Sequence, residues 1–241
     1  MPLVVNGSHV LGPAASGSGI TTMPAYLASI GKNSWYARFV AGTNMFVNAD
    51  LTGGAVALNG TVGSWQAEAA NTSNFTAYFT QSASGDRPLY AAANGVNSLY
   101  ASGNATGDSR HMDLNSTTTL NGNYTVIARH PLLARDSKSP YSHNGTAVYW
   151  GSAAGGGNLL AAVGANGTAV ADQVTHVVRN FAGTSSGNCI IGVSQTGTGH
   201  NGFAPRLLRR STSYSASAIS EIWFMPVLTD VQLDAAMAFI T

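Results

Sequence analysis

The chain has 241 residues, with 11 Lys and Arg, 10 Asp and Glu and a formal net charge of +1, so charged residues make up only 9% of it. Soluble domains usually carry roughly 25%. Because no run of Lys or Arg occurs, the composition predicts no nucleic-acid surface and no membrane partner. A single cysteine, Cys189, excludes an internal disulfide and any metal site built from several cysteines.

The N-terminal segment is rich in Gly, Ala and Ser, and we assign residues 1–42 to an extended arm that is low in complexity to about Gly31. Residues 43–241 form the predicted globular part. Residues 1–7 contain neither a basic region nor a long apolar stretch, so we expect no secretory signal. We expect the arm to serve anchoring or assembly, since such a segment can become ordered on a partner.

Short apolar runs separated by Gly, Asn, Ser or Pro recur along the rest of the chain and predict β-strands. The predicted strands are residues 35–40, 45–49, 64–68, 124–130, 146–150, 158–163, 174–181, 188–194, 203–210 and 218–225. Asn-Gly dipeptides, among them Asn59-Gly60 and Asn94-Gly95, indicate tight turns. The pattern predicts an all-β fold.

The C-terminal segment predicts one short helix, residues 230–240, which closes the fold. Thr229 and Gln232 have the spacing of a capping box, and Asp230 lies in the first turn, where the helix dipole favours a negative charge. The residues predicted to lie in the core at this end are Ile222, Phe224, Val231 and Phe239.

Three stretches contain motifs that occur together in one family. Residues 219–233 are similar to a strand of the form A-E-I-x-I-Y that leads through L-[ST]-D-x-E into a small helix. Residues 86–97 contain R-P-x-Y followed by N-G-x-N, and residues 174–178 are similar to a W-H-H-V-V strand. In this order and spacing they resemble concanavalin A-like lectin/glucanase domains of the laminin-G-like type. The resemblance implies a jelly-roll β-sandwich of two curved antiparallel sheets, a fold used for glycan binding, adhesion, glycan hydrolysis or structure.

Hydrolysis of a glycan needs two carboxyl groups about 5–9.5 Å apart across the scissile bond. The chain has two glutamates, Glu68 and Glu221, and no cluster of acidic residues two or four apart on one strand. We therefore predict that the chain is not an enzyme and that both glutamates are structural or solvated.

The histidines show no metal-binding spacing, because no pair occurs as H-x-H or H-x-x-x-H. The best small cluster is Asp108, His111 and Asp113, whose two carboxylates are, together with carbonyl oxygens, candidates for a Ca²⁺ site. No other cofactor is predicted.

The predicted glycan-binding residues lie in and near the loop of residues 138–145. Sugar rings stack on exposed aromatic faces, while amide, imidazole and carboxylate groups bind their hydroxyls. Turn residues in this loop are expected to hold an aromatic ring and an imidazole outward. The predicted site consists of Tyr141, His143, Asn144 and Trp150, with Arg135 and Asp136 fixing the loop. The alternative places Tyr149 or Trp150 in the sandwich core.

One basic cluster occurs, formed by Arg206, Arg209 and Arg210. On alternating strand positions these side chains would meet an acidic partner surface or a glycan carboxylate. The alternative is a solvated strand edge that prevents aggregation.

Composition and resemblance together predict a non-enzymatic virion protein of a tailed phage, a head-decoration, spike or tail-fibre module with a lectin-like domain. Its partners would be capsid or tail proteins, bound through the N-terminal arm, and a surface polysaccharide of the host; it would be made in the host cytoplasm and located in the virion. Low surface charge favours a homo-oligomer, since little repulsion keeps copies apart. The alternatives are a bacterial surface adhesin or lectin and a glycan hydrolase with an unrecognised site.

Overall fold

The computed structural model describes residues 19–70, 77–103, 108–116, 124–133, 141–143, 148–152, 159–163, 174–180, 189–195, 205–210 and 213–240. In this part of the chain strands dominate, as predicted. The helices are α1 (Met23–Ser29) and α2 (Asp230–Met237). The strands are β1 (Tyr36–Val40), β2 (Met45–Phe46), β3 (Ser64–Gln66), β4 (Glu68–Ala70), β5 (Ala77–Thr80), β6 (Leu89–Ala93), β7 (Val96–Ala101), β8 (Met112–Ser116), β9 (Thr125–His130), β10 (Leu132–Leu133), β11 (Tyr141–His143), β12 (Val148–Ser152), β13 (Leu159–Val163), β14 (Val174–Asn180), β15 (Cys189–Gln195), β16 (Pro205–Leu207), β17 (Arg209–Arg210), β18 (Ser213–Tyr214), β19 (Ser217–Ile219) and β20 (Glu221–Met225). None of the described helices is long and apolar enough to cross a membrane.

The described strands pair antiparallel and form three sheets and a short hairpin. The six-stranded sheet has the order β14-β15-β9-β20-β1-β4, and the eight-stranded sheet has the order β13-β12-β11-β16-β8-β5-β3-β2. The four-stranded sheet has the order β10-β19-β7-β6, and β17 pairs with β18. The turn between β6 and β7 is the predicted one, with Asn94 and Gly95 at φ 48° and 78°. The architecture is an all-β sandwich with two short helices.

The main core lies between the six-stranded and eight-stranded sheets, and Phe224 of β20 is at its centre. The Phe224 ring centroid lies 6.1 Å from those of Phe39 and Phe79, 6.0 Å from that of Tyr124 and 6.3 Å from that of Tyr141. All five rings are fully buried. Large aromatic side chains dominate the energetics of cores, so this cluster joins the two sheets.

The two helices form a second core on the outer face of the six-stranded sheet. Met23 and Leu27 of α1 and Leu233 and Met237 of α2 belong to one buried cluster there. Helix α2 lies so close to β15 that a Cβ at Gly192 would be 2.7 Å from Leu233 Cδ1 and 2.8 Å from Met237 Sδ. The close approach of helix and strand therefore requires glycine at this position.

The predicted boundary between arm and sandwich at residues 42 and 43 is wrong. Strand β1 lies between β20 and β4, and its Phe39 is fully buried. Helix α1 also belongs to the fold, since Met23 and Leu27 are four residues apart on one buried stripe. The Thr22 side chain caps this helix and Pro24 lies in its first turn, so the sequence contains a start signal for α1 that was not among the predictions. Residues 1–18 of the predicted arm lie outside the described residues.

The C-terminal helix starts as predicted. The Thr229 side chain accepts from the backbone of Gln232, and the Gln232 side chain accepts from the backbone of Thr229, which completes the capping box. Ile222 and Phe224 are buried, as predicted, and Phe239 is partly buried. Val231 is 81% exposed, so its predicted core position is wrong. The buried stripe of the helix follows a different phase and consists of Leu233, Ala236 and Met237, and Ile240 is buried just beyond the helix.

Candidate functional site

Tyr141 is not available to a ligand, which corrects the central residue of the predicted glycan site. Residues 141–143 form strand β11 instead of a loop, and β11 is paired on both sides, with β12 and with β16. The Tyr141 side chain is fully buried in the main core, where its hydroxyl is hydrogen-bonded to that of Tyr124. Burial raises the pKa of Tyr141 well above its ordinary value, with Tyr124 adding to the effect. Tyr141 is therefore a core residue, because strand pairing turns it inward.

The other residues of that predicted site are only partly described. Trp150 lies opposite Tyr141 in the β11–β12 ladder, and His143 lies opposite Val148; of Trp150 and His143 the structure describes the backbone. The loop residues Arg135, Asp136 and Asn144 lie outside the described residues. The predicted constellation therefore stays a prediction for these five residues.

A different set of polar side chains lies on the outer face of the eight-stranded sheet. In β3, β5, β8 and β16 apolar residues that pack in the main core alternate with polar residues, so the polar side chains share the face away from the core. We call this set the polar face; it consists of Gln66, Tyr78, Asp113, Asn115 and Arg206. Strands β5 and β8 were not among the predicted strands, although both alternate apolar and polar residues, which is the signal that would have found them.

Strand register brings the members of the polar face together in two rows. Tyr78 lies opposite Gln66 on one side and opposite Asn115 on the other. The Asn115 amide donates a hydrogen bond to the Tyr78 hydroxyl. In the second row Asp113 lies opposite Arg206. Gln66 and Asn115 are exposed and the other three are half-buried, and no described helix packs on them.

A second arginine, Arg209, reaches the same carboxylate as Arg206. Arg209 Nη2 donates to Asp113 Oδ2 at 2.7 Å, and Arg206 Nε lies 3.6 Å from Asp113 Oδ1. Residues three apart on a regular strand point to opposite faces. Leu208 breaks this alternation, since it has a left-handed backbone with φ 64° and is fully buried. Such a conformation costs a non-glycine residue on the order of 1–3 kcal/mol.

His111 lies behind this charged group. It is 6% exposed, its Nε2 is 2.8 Å from the Gln81 side-chain nitrogen, and its Nδ1 is 2.8 Å from the carbonyl oxygen of Ser109. Burial lowers the pKa of His111; the charge of Arg209 acts in the same direction, and the hydrogen bond to Ser109 and the charges of Asp113 and Asp86 oppose it. Burial therefore favours the neutral form of the imidazole.

The two carboxylates predicted as calcium ligands are engaged with other side chains. Asp108 accepts from the Ser102 backbone at 2.8 Å and from Arg110 Nη1 at 3.1 Å. Burial raises the pKa of Asp108, but the hydrogen bonds from Ser102 and Arg110 outweigh burial and the net pKa is lowered. Asp113 is paired with the two arginines described above. Among the described residues no group of three or more His, Cys, Asp or Glu side chains is arranged to hold a metal ion.

The two glutamates of the chain meet at one arginine of the six-stranded sheet. Arg38 Nε donates to Glu221 Oε1 at 2.8 Å, and Arg38 Nη1 lies 3.3 Å from Glu68 Oε2. The Trp223 indole also donates to Glu221 Oε1, at 2.8 Å, and its ring lies 5.2 Å below the Arg38 guanidinium carbon. No sequence motif predicted this convergence, because Arg38, Glu68 and Glu221 are far apart in the chain. An ion-pair network of this kind joins β1, β4 and β20 at the border of the second core.

No protein-family model matches the chain, and no curated protein and no solved structure matches it.

Proposed function

We propose that this chain is a non-enzymatic glycan-binding protein and that the polar face is its binding surface. The observation that carries the proposal is the contrast between the two outer faces of the sandwich. Helices α1 and α2 cover the six-stranded sheet with apolar side chains, whereas the eight-stranded sheet presents amide, phenol, carboxylate and guanidinium groups in two cross-strand rows.

The chemistry of the polar face suits a saccharide. Each sugar hydroxyl both donates and accepts hydrogen bonds, and the polar face offers donors and acceptors side by side. Tyr78 is half-buried between Gln66 and Asn115 and adds an aromatic group of the kind on which sugar rings stack. A site on paired strands is also held rigidly, which lowers the entropic cost of binding.

The same proposal includes a fold family and a biological setting. We infer a concanavalin A-like jelly roll, supported by the antiparallel pairing throughout the described strands and by the adjacency of β1 and β20. The setting is a tailed-phage virion, as a homo-oligomeric decoration, spike or tail-fibre module on capsid or tail proteins. The low charge, 9% of residues, supports close repetition of copies, and repetition turns weak sites into strong attachment.

The binding proposal is tested with the full chain, multimerised on a streptavidin scaffold and applied to a bacterial glycan array. We expect Gln66→Ala/Asn115→Ala to weaken binding by at least about fivefold, since each lost hydrogen bond contributes about 1 kcal/mol. Asn97→Ala is the matched control, because Asn97 is also exposed and also donates from Nδ2 to a tyrosine hydroxyl, that of Tyr90, away from the polar face. Equal loss in both variants, or no glycan bound by the multimer, contradicts the proposal.

The virion setting needs its own test. Deleting residues 1–18 leaves α1 in place, and the shortened chain is then mixed with particles that lack the protein. Reduced incorporation is expected, and undiminished incorporation contradicts an anchoring role for that segment. A bacterial adhesin would use the same polar face, and its gene would lie outside a cluster of capsid and tail genes.

A further inference from the structure

We infer that the polar face selects saccharides that carry a carboxylate and that Arg206 is the group that binds it. This inference rests on the proposed function and adds the chemical class of the ligand. Three observations support the inference: the charges around Asp113, the different exposure of Arg206 and Arg209, and the backbone conformation of Leu208 between them.

The charges around Asp113 do not balance. Two guanidinium groups meet one carboxylate, and the contacts are unequal. Arg209 Nη2 makes a hydrogen bond of 2.7 Å with Asp113 Oδ2. Arg206 Nε is 3.6 Å from Oδ1, beyond hydrogen-bond distance, and Asp113 Oδ1 has no hydrogen-bond partner. Asp113 is therefore neutralised mainly by Arg209, and the charge of Arg206 is compensated only in part.

Arg206 is also the better placed of the two arginines to reach a ligand. Its side chain is 30% exposed, against 17% for Arg209. Within the described part of the chain, the Arg206 side chain donates no hydrogen bond, and its contact with Asp113 is an ion pair at 3.6 Å. A guanidinium presents its N–H groups as a planar fork that matches the two oxygens of a carboxylate, so an incoming uronate or similar acid would be bound in a bidentate manner.

The backbone conformation of Leu208 is a third observation in favour of a binding role for Arg206. Leu208 adopts φ 64° and is buried together with Leu207, and this departure from strand geometry lets Arg206 and Arg209 approach the same carboxylate. Strained residues of this kind concentrate at binding and active sites. A further carboxylate among the described residues, Asp86, accepts a hydrogen bond from Ser109 and acts on the pKa of His111. The partly compensated charge of Arg206 lies on the polar face.

The test compares acidic polysaccharides with the same polymers after removal of their charge. Hyaluronan and polygalacturonate, each in native form and as the methyl ester, are applied to the multimerised full chain. We expect at least one native polymer to bind about tenfold more tightly than its ester, the size of one charge-assisted contact. We expect Arg206→Gln to remove this difference. Lys32→Gln is the control for net charge, because Lys32 follows α1 on the helix-covered side, and it should leave the difference intact.

The outcomes separate this inference from the proposed function. Equal binding of native polymer and ester, lost in Gln66→Ala/Asn115→Ala, overturns the acidic preference and leaves glycan binding standing. Binding of dextran sulfate as tightly as the polyuronates shows general polyanion attraction and overturns carboxylate recognition. No binding of any of these polymers overturns the acidic preference, whereas glycan binding as such is decided by the glycan array. If near-UV circular dichroism shows that Arg206→Gln does not fold, the comparison of native polymer with methyl ester on the unmodified chain decides whether the polar face prefers a carboxylate.

Discussion

The buried imidazole of His130 should make the stability of the protein fall steeply in mild acid. His130 is fully buried at the end of β9, and its Nδ1 is 3.1 Å from the carbonyl oxygen of Ala218. Burial lowers the pKa of His130 to about 4, although the hydrogen bond to Ala218 acts in the opposite direction. In the unfolded chain a histidine titrates near its ordinary value of about 6.5.

The sign and size of the effect follow from these two values. Between about pH 6.5 and about pH 4 the unfolded chain binds a proton that the folded chain does not, so the free energy of unfolding decreases as the pH falls through this window. The contribution of His130 is fully present above about pH 6.5. Lowering the pH from about 7 to about 4.5 should decrease the free energy of unfolding by on the order of 2 kcal/mol through His130 alone.

The assay is urea denaturation of the full chain, followed by tryptophan fluorescence at several pH values, for the wild type and for His130→Asn. Asparagine retains a donor for the Ala218 carbonyl and does not titrate. The variant will be less stable at all pH values, because the smaller side chain leaves a cavity, so the informative quantity is the slope of stability against pH. The pKa of His111 is lowered as well and contributes to both curves. Parallel slopes for wild type and variant would refute the argument.

Three further predictions concern packing and capping, and chemical denaturation measures each of them. Phe224→Ala should lower the free energy of unfolding by about 3–5 kcal/mol, because this ring is the centre of the main core. Val231→Ala should change it by less than about 0.5 kcal/mol, because Val231 is 81% exposed. Similar losses in the two variants would contradict the observed burial. Thr229→Ala should lose about 1 kcal/mol, and Thr229→Asp, which can still cap, should lose little; equal losses would show that the cap does not stabilise α2. Gly192→Val should cost about 1–3 kcal/mol by pushing α2 away from β15, and an unchanged stability would mean that helix and strand are not in close contact.

Local features were predictable because neighbouring residues decide them. The capping box of α2 depends on Thr229 and Gln232, three positions apart, and the turn at Asn94-Gly95 depends on the ability of these two residues to adopt positive φ. Period-two alternation and turn residues were enough to predict an all-β chain. The burial of Phe224 followed in the same way from the apolar run of β20.

Which face of helix α2 is buried could not be predicted from its sequence. Helix α2 contains two adjacent alanines, Ala235 and Ala236, so more than one apolar stripe can be drawn on it, and the predicted core positions included the exposed Val231. The structure selects the stripe of Leu233 and Met237 because Gly192 leaves room for these side chains on β15. Packing against a distant strand thus decided the orientation of the helix.

The candidate site depended entirely on tertiary structure. Tyr141 and its turn-like surroundings suggested an exposed loop, but pairing of β11 with β12 and β16 makes residue 141 a core position. Asp113 and Arg206 are far apart in the sequence, and only the register of β8 against β16 brings them together on the polar face. A strand pattern tells which residues share a face, but not whether that face meets the core, a helix or the solvent. That depends on which strands become neighbours, and the free energy of sheet and core packing determines this over the whole chain.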